Sequence, residues 1–529
     1  MVYHLYPRSF ADSDGDGIGD LPGITARLGH LAELGVGAVW LSPVYRSPMR
    51  DFGYDISDHT DVDPVFGDLA DFDRMLARAH GLGLKVILDF VPNHTSDAHP
   101  WFRQSRTARS SARRDWYHWR DPASDGGPPN NWLSTFGGPA WSFDDGTGQY
   151  YLHSFLPSMP DLNWREPAVA EAMLDVARFW LDRGVDGFRV DCAPQIGKDP
   201  LLRDNPAAPA GSAAMHRPLG DYDSQVHLHD QGHPDAHAAY RRLRRLLQEY
   251  PGPERVALGE IHDNDLAVWA SYYGTALDEL HLPMAFELLA CPWTPDGVRR
   301  AVEATTSAIP DGGRACWVLG NHDERRVAGR LGPRQARNAM LVLLTLDGVP
   351  VLYNGDELAL PDLLLDPADI RDPWGRARPE LSRDAARAPL PWEEGPGAGF
   401  TTPDATPWLP FADTPTSVAA QSADPGSMLT LTRRLLTARA AHPALRRGTL
   451  CFLDGLPPDV LGYLRRDAEG DPMLVLANLG ERNVRTGLAA QEWRIVVSTA
   501  EGGAGETARS PHDLRPHEGL LLERRDRRG

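Results

Sequence analysis

Four places along the chain set charged or polar side chains directly after a short apolar run. DFVPNH carries Asp89, Asn93 and His94, GFRVD carries Arg189 and Asp191, GEI carries Glu260, and GNHD carries Asn321, His322 and Asp323. Several carboxylates converging with one arginine and two histidines suit cleavage of a glycosidic bond. Such a bond breaks through an oxocarbenium-like state that needs an acid on the leaving oxygen and an anion near the sugar carbon. Carboxyl groups about 5–5.5 Å apart would direct a double displacement that retains the anomeric configuration. Like charges packed together raise one pKa and make that group the proton donor, while Arg189, two residues before Asp191, keeps the latter ionised. A lone acid in such a place is ordinarily a solvated loop residue. Polar groups at the ends of four strands, two of them with histidine, form a constellation.

For these residues to meet, the apolar runs beneath them must lie side by side. VYHLY at 2–6, GAVWL at 37–41 and KVILDFV at 85–91 read as buried parallel strands, and GVDGFRVD, VALGEI, ELHLP, CWVLG and GVPVLY continue the series. Between them Ile24, Leu28, Leu31 and Leu34 recur at helical spacing, as do Phe72, Met75, Leu76 and Ala79, and later Val169, Met173, Val176 and Trp180. Eight strands with helices between most of them imply an α/β fold, a (β/α)₈ barrel whose functional groups sit at the C-terminal strand ends. The barrel is expected over 1–94 and 166–438. Residues 95–165, rich in Trp, Pro, Gly and Asp, read as a domain inserted after the third strand. Residues 361–400 form a second loop-rich insertion, and 439–529, with VLGYLRR, MLVLANL and RIVVST, an antiparallel β domain.

Bulk properties narrow the partners. The net charge of -19, from 73 acidic and 54 basic residues, argues against a nucleic-acid partner, and the basic stretch from Arg241 to Arg245 reads as a solvated helix face. No apolar run reaches the roughly 18–20 residues of a membrane span. Cys192, Cys291, Cys316 and Cys451 are far apart with no CxxC, which disfavours structural zinc or a disulfide framework and fits reduced thiols. With no signal-peptide pattern at MVYHLYPRSF, the expectation is a cytoplasmic monomer or small homo-oligomer.

In this order and strand context, DFVPNH, GFRVD, GEI and GNHD resemble the four signature regions of the α-amylase family of glycoside hydrolases, a likeness that covers nearly the whole chain. The resemblance implies Asp191 as nucleophile, Glu260 as acid/base and Asp323 as the third acid, which grips ring hydroxyls. His94, Arg189 and His322 match the family's residues around the terminal sugar. The chain looks like the bacterial α-glucosidase and oligo-1,6-glucosidase group. GYD at 53–55, with Tyr54 and Asp55, matches that group's end-wall motif, and RAPLPW at 387–392 matches its RTPxPW stretch. By this resemblance Asp55 and Arg387 close the pocket on the non-reducing end of a glucose unit, and Phe136 and Phe155 line it. The implied activity is exo-acting hydrolysis of small α-glucosides such as maltose. MPDLN at 159–163 falls between the QPDLN of α-1,6-specific relatives and the motifs of other subgroups, and Cys192 after the nucleophile matches neither the Val of α-1,6 specialists nor the α-1,4 pattern; the expectation is α-1,4 activity with some α-1,6 tolerance. The second implied reading is a transglucosylase with the same covalent intermediate. A sucrose-type isomerase is disfavoured because ERRVAGR stands where RLDRD would be expected, and a non-catalytic subunit because all three acids are present.

Asp12, Asp14, Asp16, Ile18 and Asp20 place oxygen ligands at alternate positions, like the first half of an EF-hand loop, although Gly23 stands where the closing Glu would be. The α-glucosidase group carries a similar loop after strand one. The resemblance implies a structural Ca²⁺ or Mg²⁺ held by the four aspartates and the Ile18 carbonyl, and no organic cofactor. The spacing of His227, His229, His233 and His237 fits no established metal pattern.

Overall fold

The computed structural model describes residues 1–413, 416–468, 470–487, 493–500 and 513–524. Eight strands close into a parallel barrel: Val2–Leu5, Ala38–Leu41, Lys85–Phe90, Gly187–Val190, Val256–Gly259, Leu282–Ala285, Cys316–Val318 and Val349–Tyr353. The first strand pairs with the second, Val2 opposite Ala38, and with the eighth, Val2 opposite Val351. Both faces of these strands are covered, which explains why they read as continuous apolar runs. Side chains alternate across the barrel wall. Val2, Trp40, Ile87, Leu258, Met284 and Val351 form a separate buried cluster, the plug of the barrel, while Tyr3, Leu5, Val39, Leu88 and Phe188 pack outward against the helices.

The helices follow the expected periodicity. Leu21–Leu34 buries Ile24, Leu28, Leu31 and Leu34 and starts where the Asp20 carboxylate accepts the Gly23 N–H at 2.6 Å. Leu69–Gly81 opens on a capping box between Asp68 and Asp71 and buries Phe72, Met75, Leu76 and Ala79. Pro167–Asp182 buries Val169, Met173, Val176 and Trp180. Gly187 begins the fourth strand against the fifth, where a Cβ would lie 2.1 Å from the Val256 carbonyl oxygen. Any larger residue would force the two strands apart just below Arg189 and Asp191.

The segment after the third strand contains a three-stranded antiparallel sheet, Trp119–Arg120, Trp141–Asp144 and Gln149–Leu152. It is tied to the barrel by Asp161, fully buried, which meets Lys198 Nζ at 2.9 Å, the Ser154 hydroxyl at 2.5 Å and the Asn93 amide at 3.0 Å. MPDLN, read for linkage preference, thus also supplies this latch. The helix Met428–Ala441 runs across the expected boundary at 438. Beyond it five antiparallel strands, Thr449–Phe452, Val460–Arg466, Met473–Asn478, Trp493–Ser498 and Gly519–Arg524, form the C-terminal sheet.

Among the described residues no helix is long and apolar enough to cross a membrane, and the four cysteines are free thiols. The Arg241–Arg245 stretch lies on the helix Asp235–Gln248, with Arg241 paired to Glu279 and Arg242 to Glu171. The four histidines of the 227–237 stretch do not converge: His227 meets Asp230, and His237 meets Glu279.

Candidate active site

The two-residue period of the strands carries the polar groups to the barrel mouth. Asp89 follows Ile87 by two residues, Glu260 follows Leu258 by two, and Arg189 and Asp191 continue the inward face of the fourth strand from Gly187. The backbone ladder extends past the strand ends, with Asp191 N–H donating to the Phe90 carbonyl at 2.9 Å and Glu260 N–H to that of Val190 at 3.0 Å. Both acids therefore stand on fixed backbone.

Arg189, its side chain fully buried, binds three carboxylates. One terminal nitrogen contacts Asp89 at 2.5 Å and Asp191 at 2.7 Å, and the other contacts Glu260 at 2.7 Å. A carboxylate oxygen of Asp191, one of Glu260 and the Cys192 sulfur all lie within 4.8 Å of one another. Cys192 adopts a left-handed backbone, φ 39°, and its N–H donates to Glu260 at 3.0 Å. His262 meets the other oxygen of Glu260 at 3.1 Å. Burial, then the neighbouring carboxylates, push Asp191 well above the usual carboxylate range against the pull of Arg189. Burial acts on Glu260 as well, yet Arg189 and then His262 outweigh it and hold Glu260 below its ordinary range, so of the two acids it is Asp191 that keeps a proton, and the expectation that Arg189 keeps Asp191 ionised is corrected.

Asp323 faces them from the seventh strand's loop. Burial works against its charge, yet His322, Arg383 and Arg387 outweigh it and hold it ionised far below the ordinary range. Arg387 contacts it at 2.9 Å and Arg383 at 3.5 Å. The His322 ring is flanked by Tyr6 and Tyr54, with centroids at 5.5 and 5.2 Å. Burial lowers His322 to about 3, so it is neutral at physiological pH. His94 is likewise lowered, to about 4, by burial.

A cavity of about 70 Å³ opens onto these groups; Tyr54, His94, Phe136, Phe155, Asp191, Glu260 and Asp323 all line it. Arg189 lies directly beneath. Phe136 packs on Phe155 at 5.7 Å and stacks on Trp374 at 4.9 Å, which joins the inserted domain to the 361–400 insertion. The expectation that Asp55 and Arg387 close the cavity is corrected. Asp55 is fully buried and serves its own loop, accepting from the Ser47 hydroxyl and the N–H groups of Arg50 and Asp51. Arg387 is buried behind the wall, donating to the His322 carbonyl at 2.8 Å as well as to Asp323. The wall itself is Asp51 paired with Arg383, which also binds Asp372 at 2.6 Å. Asp51 and Arg383 stand four residues before Asp55 and Arg387, beside the same two motifs, so residue type alone could have raised both. His262, Met215 and Arg217 also line the cavity, from segments in which no motif points to them.

Comparisons with known proteins assign the family. The Alpha-amylase family (Alpha amylase, catalytic domain) matches residues 4–448. The chain belongs to the α-amylase family. A "Probable alpha-glucosidase" of Rhizobium meliloti is 46% identical over 479 residues, covering 88% of this chain and 86% of that protein. "Maltase A1" of Drosophila melanogaster is 38% identical over 501 residues, covering 90% and 86%. Among solved structures, the alpha-glucosyl transfer enzyme XgtA superposes with a TM-score of 0.92 at 43% identity, over 99% of this chain and 98% of that one.

In the loop after the first strand, Asp12, Asp14 and Asp16 each bring an oxygen within 4.8 Å of the others. Asp20 is not in that group: one of its oxygens caps the helix Leu21–Leu34 and the other accepts from Ser13. Burial, then the charges of Asp14 and Asp12, raise Asp16 above the usual range.

Proposed function

We propose that this α-amylase-family chain is a retaining, exo-acting α-glucosidase that releases terminal glucose from short α-glucosides, chiefly α-1,4-linked ones such as maltose. The observation that carries the reading is the approach of the Asp191 and Glu260 carboxylates to within 4.8 Å. Inverting enzymes need roughly 6.5–9.5 Å to admit a water, so this spacing favours double displacement. Once the proton held by Asp191 has passed to Glu260, the Asp191 carboxylate attacks the anomeric carbon while Glu260 gives that proton to the departing glycosidic oxygen. Glu260 then takes a proton from water, whose oxygen displaces Asp191 from the glucosyl ester. Asp323, fixed by two arginines, accepts hydrogen bonds from ring hydroxyls. The Asp51–Arg383 wall blocks extension of the sugar chain at one end, which supports exo action.

Transfer of glucose to a sugar or alcohol acceptor is the second reading, favoured by the likeness to the alpha-glucosyl transfer enzyme XgtA. It uses the same residues and differs only in what attacks the intermediate. One experiment separates them: incubation with maltose, following the first anomer by NMR and all products by chromatography. α-Glucose first with few oligosaccharides supports the hydrolase. Trisaccharides in excess move the reading to transferase, and β-glucose first refutes Asp191 as nucleophile.

The Asp12–Asp20 loop fits a structural divalent cation, Ca²⁺ or Mg²⁺. Its donors are hard oxygens, and a cation there would offset the burial and then the repulsion from Asp14 and Asp12 that raise Asp16. Asp12, Asp14 and Asp16 would hold it, and the ion would fix the loop without taking part in chemistry.

A further inference from the structure

A second and larger cavity, about 840 Å³, lies on the far side of the wall that closes the catalytic one. The two share no lining residue, yet three segments separate them. Asp51 and Tyr54 face the catalytic cavity and Arg50 and Phe52 the other. Phe155 and Met159 face the first, with Pro157 and Ser158 facing the second. Trp374 faces the first, and Arg371 and Arg376 the second.

The charge of this second cavity is opposite to that of the molecule. Four arginines, Arg8, Arg50, Arg371 and Arg376, line it against two aspartates, Asp16 and Asp97, in a chain of net charge -19. Asp97 is already taken by Arg50, at 2.8 Å. Arg8 is the unusual member. It is only 7% exposed, and its guanidinium sits over Trp408 and Phe52, at 4.9 and 5.2 Å from the ring centroids. Its one side-chain hydrogen-bond partner is the Met49 sulfur at 3.8 Å, and its Nε is buried with none. Among the described residues no carboxylate lies within ion-pair distance of Arg8 or of Arg371. A buried cation without a counter-charge is costly, and burial does push Arg8 downward, with Asp16 acting on it only through space. The two rings flank the guanidinium, and Arg8 lines the cavity beside them. The exposed Arg371 and Arg376 stand on another segment of the same lining.

We infer that this cavity is a binding site for a small oxyanion, a phosphate or sulfate group, held by Arg8 from the barrel side and by Arg371 and Arg376 from the 361–400 insertion. Guanidinium groups suit such a ligand because their forked donors match its oxygens. The group arrives either as the free ion or as part of a phosphorylated sugar, for which the cavity has room.

The test is thermal melting and calorimetry of the full chain with sodium phosphate, with sodium sulfate and with glucose 6-phosphate. Sodium chloride at matched ionic strength and unmodified glucose are the controls. Saturable stabilisation with half-saturation in the millimolar range is expected for the oxyanions and not for chloride. Arg371→Gln/Arg376→Gln should raise the half-saturating concentration roughly tenfold. Arg8→Met should abolish saturation, and the exposed double variant guards against a folding defect there. Equal half-saturation for glucose 6-phosphate and free phosphate assigns the free ion, and tighter binding of the sugar phosphate assigns the phosphorylated sugar. Stabilisation that never saturates, or that is the same in the double variant, is a general salt effect and overturns the site.

Discussion

Asp323 keeps its charge in a crowded acidic site because Arg383 and Arg387 flank it and the neutral His322 ring supports it. The two arginines are not equivalent. Arg383 lines the cavity, whereas Arg387 lies behind it, bound to Asp323 and the His322 carbonyl. Arg383→Ala should lower kcat/KM for maltose by about 10²-fold, mostly through KM, because it removes a direct contact and half of the Asp51 pair. Arg387→Ala should act mainly on kcat and shift the pH profile, as Asp323 loses the nearer of its two arginines; equal effects of the two variants on KM would contradict this division. Asp191→Asn should cost at least about 10⁴-fold in kcat with the fold intact by circular dichroism. The three acids that line the cavity, Asp191, Glu260 and Asp323, were legible in the sequence, since strand periodicity and motif order both point at them. The wall residues were not. Asp51 and Asp55, and Arg383 and Arg387, are identical residue types four positions apart in loops without regular period, so only the path of the backbone tells which one faces the sugar.

At the scale of elements, the loop after the first strand combines two jobs. Asp12, Asp14 and Asp16 gather around the proposed cation, while Asp20 caps the helix Leu21–Leu34. Chelator should therefore lower the melting temperature of the wild type, and Asp20→Ala should lower it further even in chelator, since the lost cap costs about 1 kcal/mol of stability. No effect of chelator would leave the loop as a self-bonded turn. The latch between the inserted domain and the barrel is a sharper case. Lys198→Met leaves Asp161 buried without its cation and should destabilise by about 3–5 kcal/mol in urea unfolding. The eight barrel strands were readable because burial on both faces leaves an unbroken apolar run. The short strands of the inserted domain were not, because Trp119–Arg120, Trp141–Asp144 and Gln149–Leu152 are two to four residues long and draw their packing from aromatic contacts distant in sequence.

Across the whole molecule, several buried carboxylates tilt the pH dependence of stability. Burial raises Asp55 and Asp89 to about 6 and Asp356 to about 7. Their folded pKa values exceed the unfolded ones, so between about pH 4 and 7 the folded state binds more protons, and stability from these groups falls as pH rises. Each tenfold difference in acidity between the folded and unfolded chain corresponds to about 1.4 kcal/mol. Asp161, held down by Lys198 and Ser154 against burial, works in the opposite sense and at lower pH. Denaturant midpoints at pH 5 and pH 7 in wild type and Asp356→Asn test the first effect; the variant should lose part of the difference, and an unchanged difference would assign it elsewhere.

The barrel also sets a clock. Its first strand, Val2–Leu5, completes its pairing only against Val349–Tyr353. At a synthesis rate of about 5–20 residues per second, that partner leaves the ribosome roughly 20–70 s after the first strand. Through that interval one edge of Val2–Leu5 has no native neighbour, and an unpaired apolar edge invites pairing with other chains. The barrel thus stays open along one seam until its last strand has been made, and closes only when Val349–Tyr353 meets Val2–Leu5.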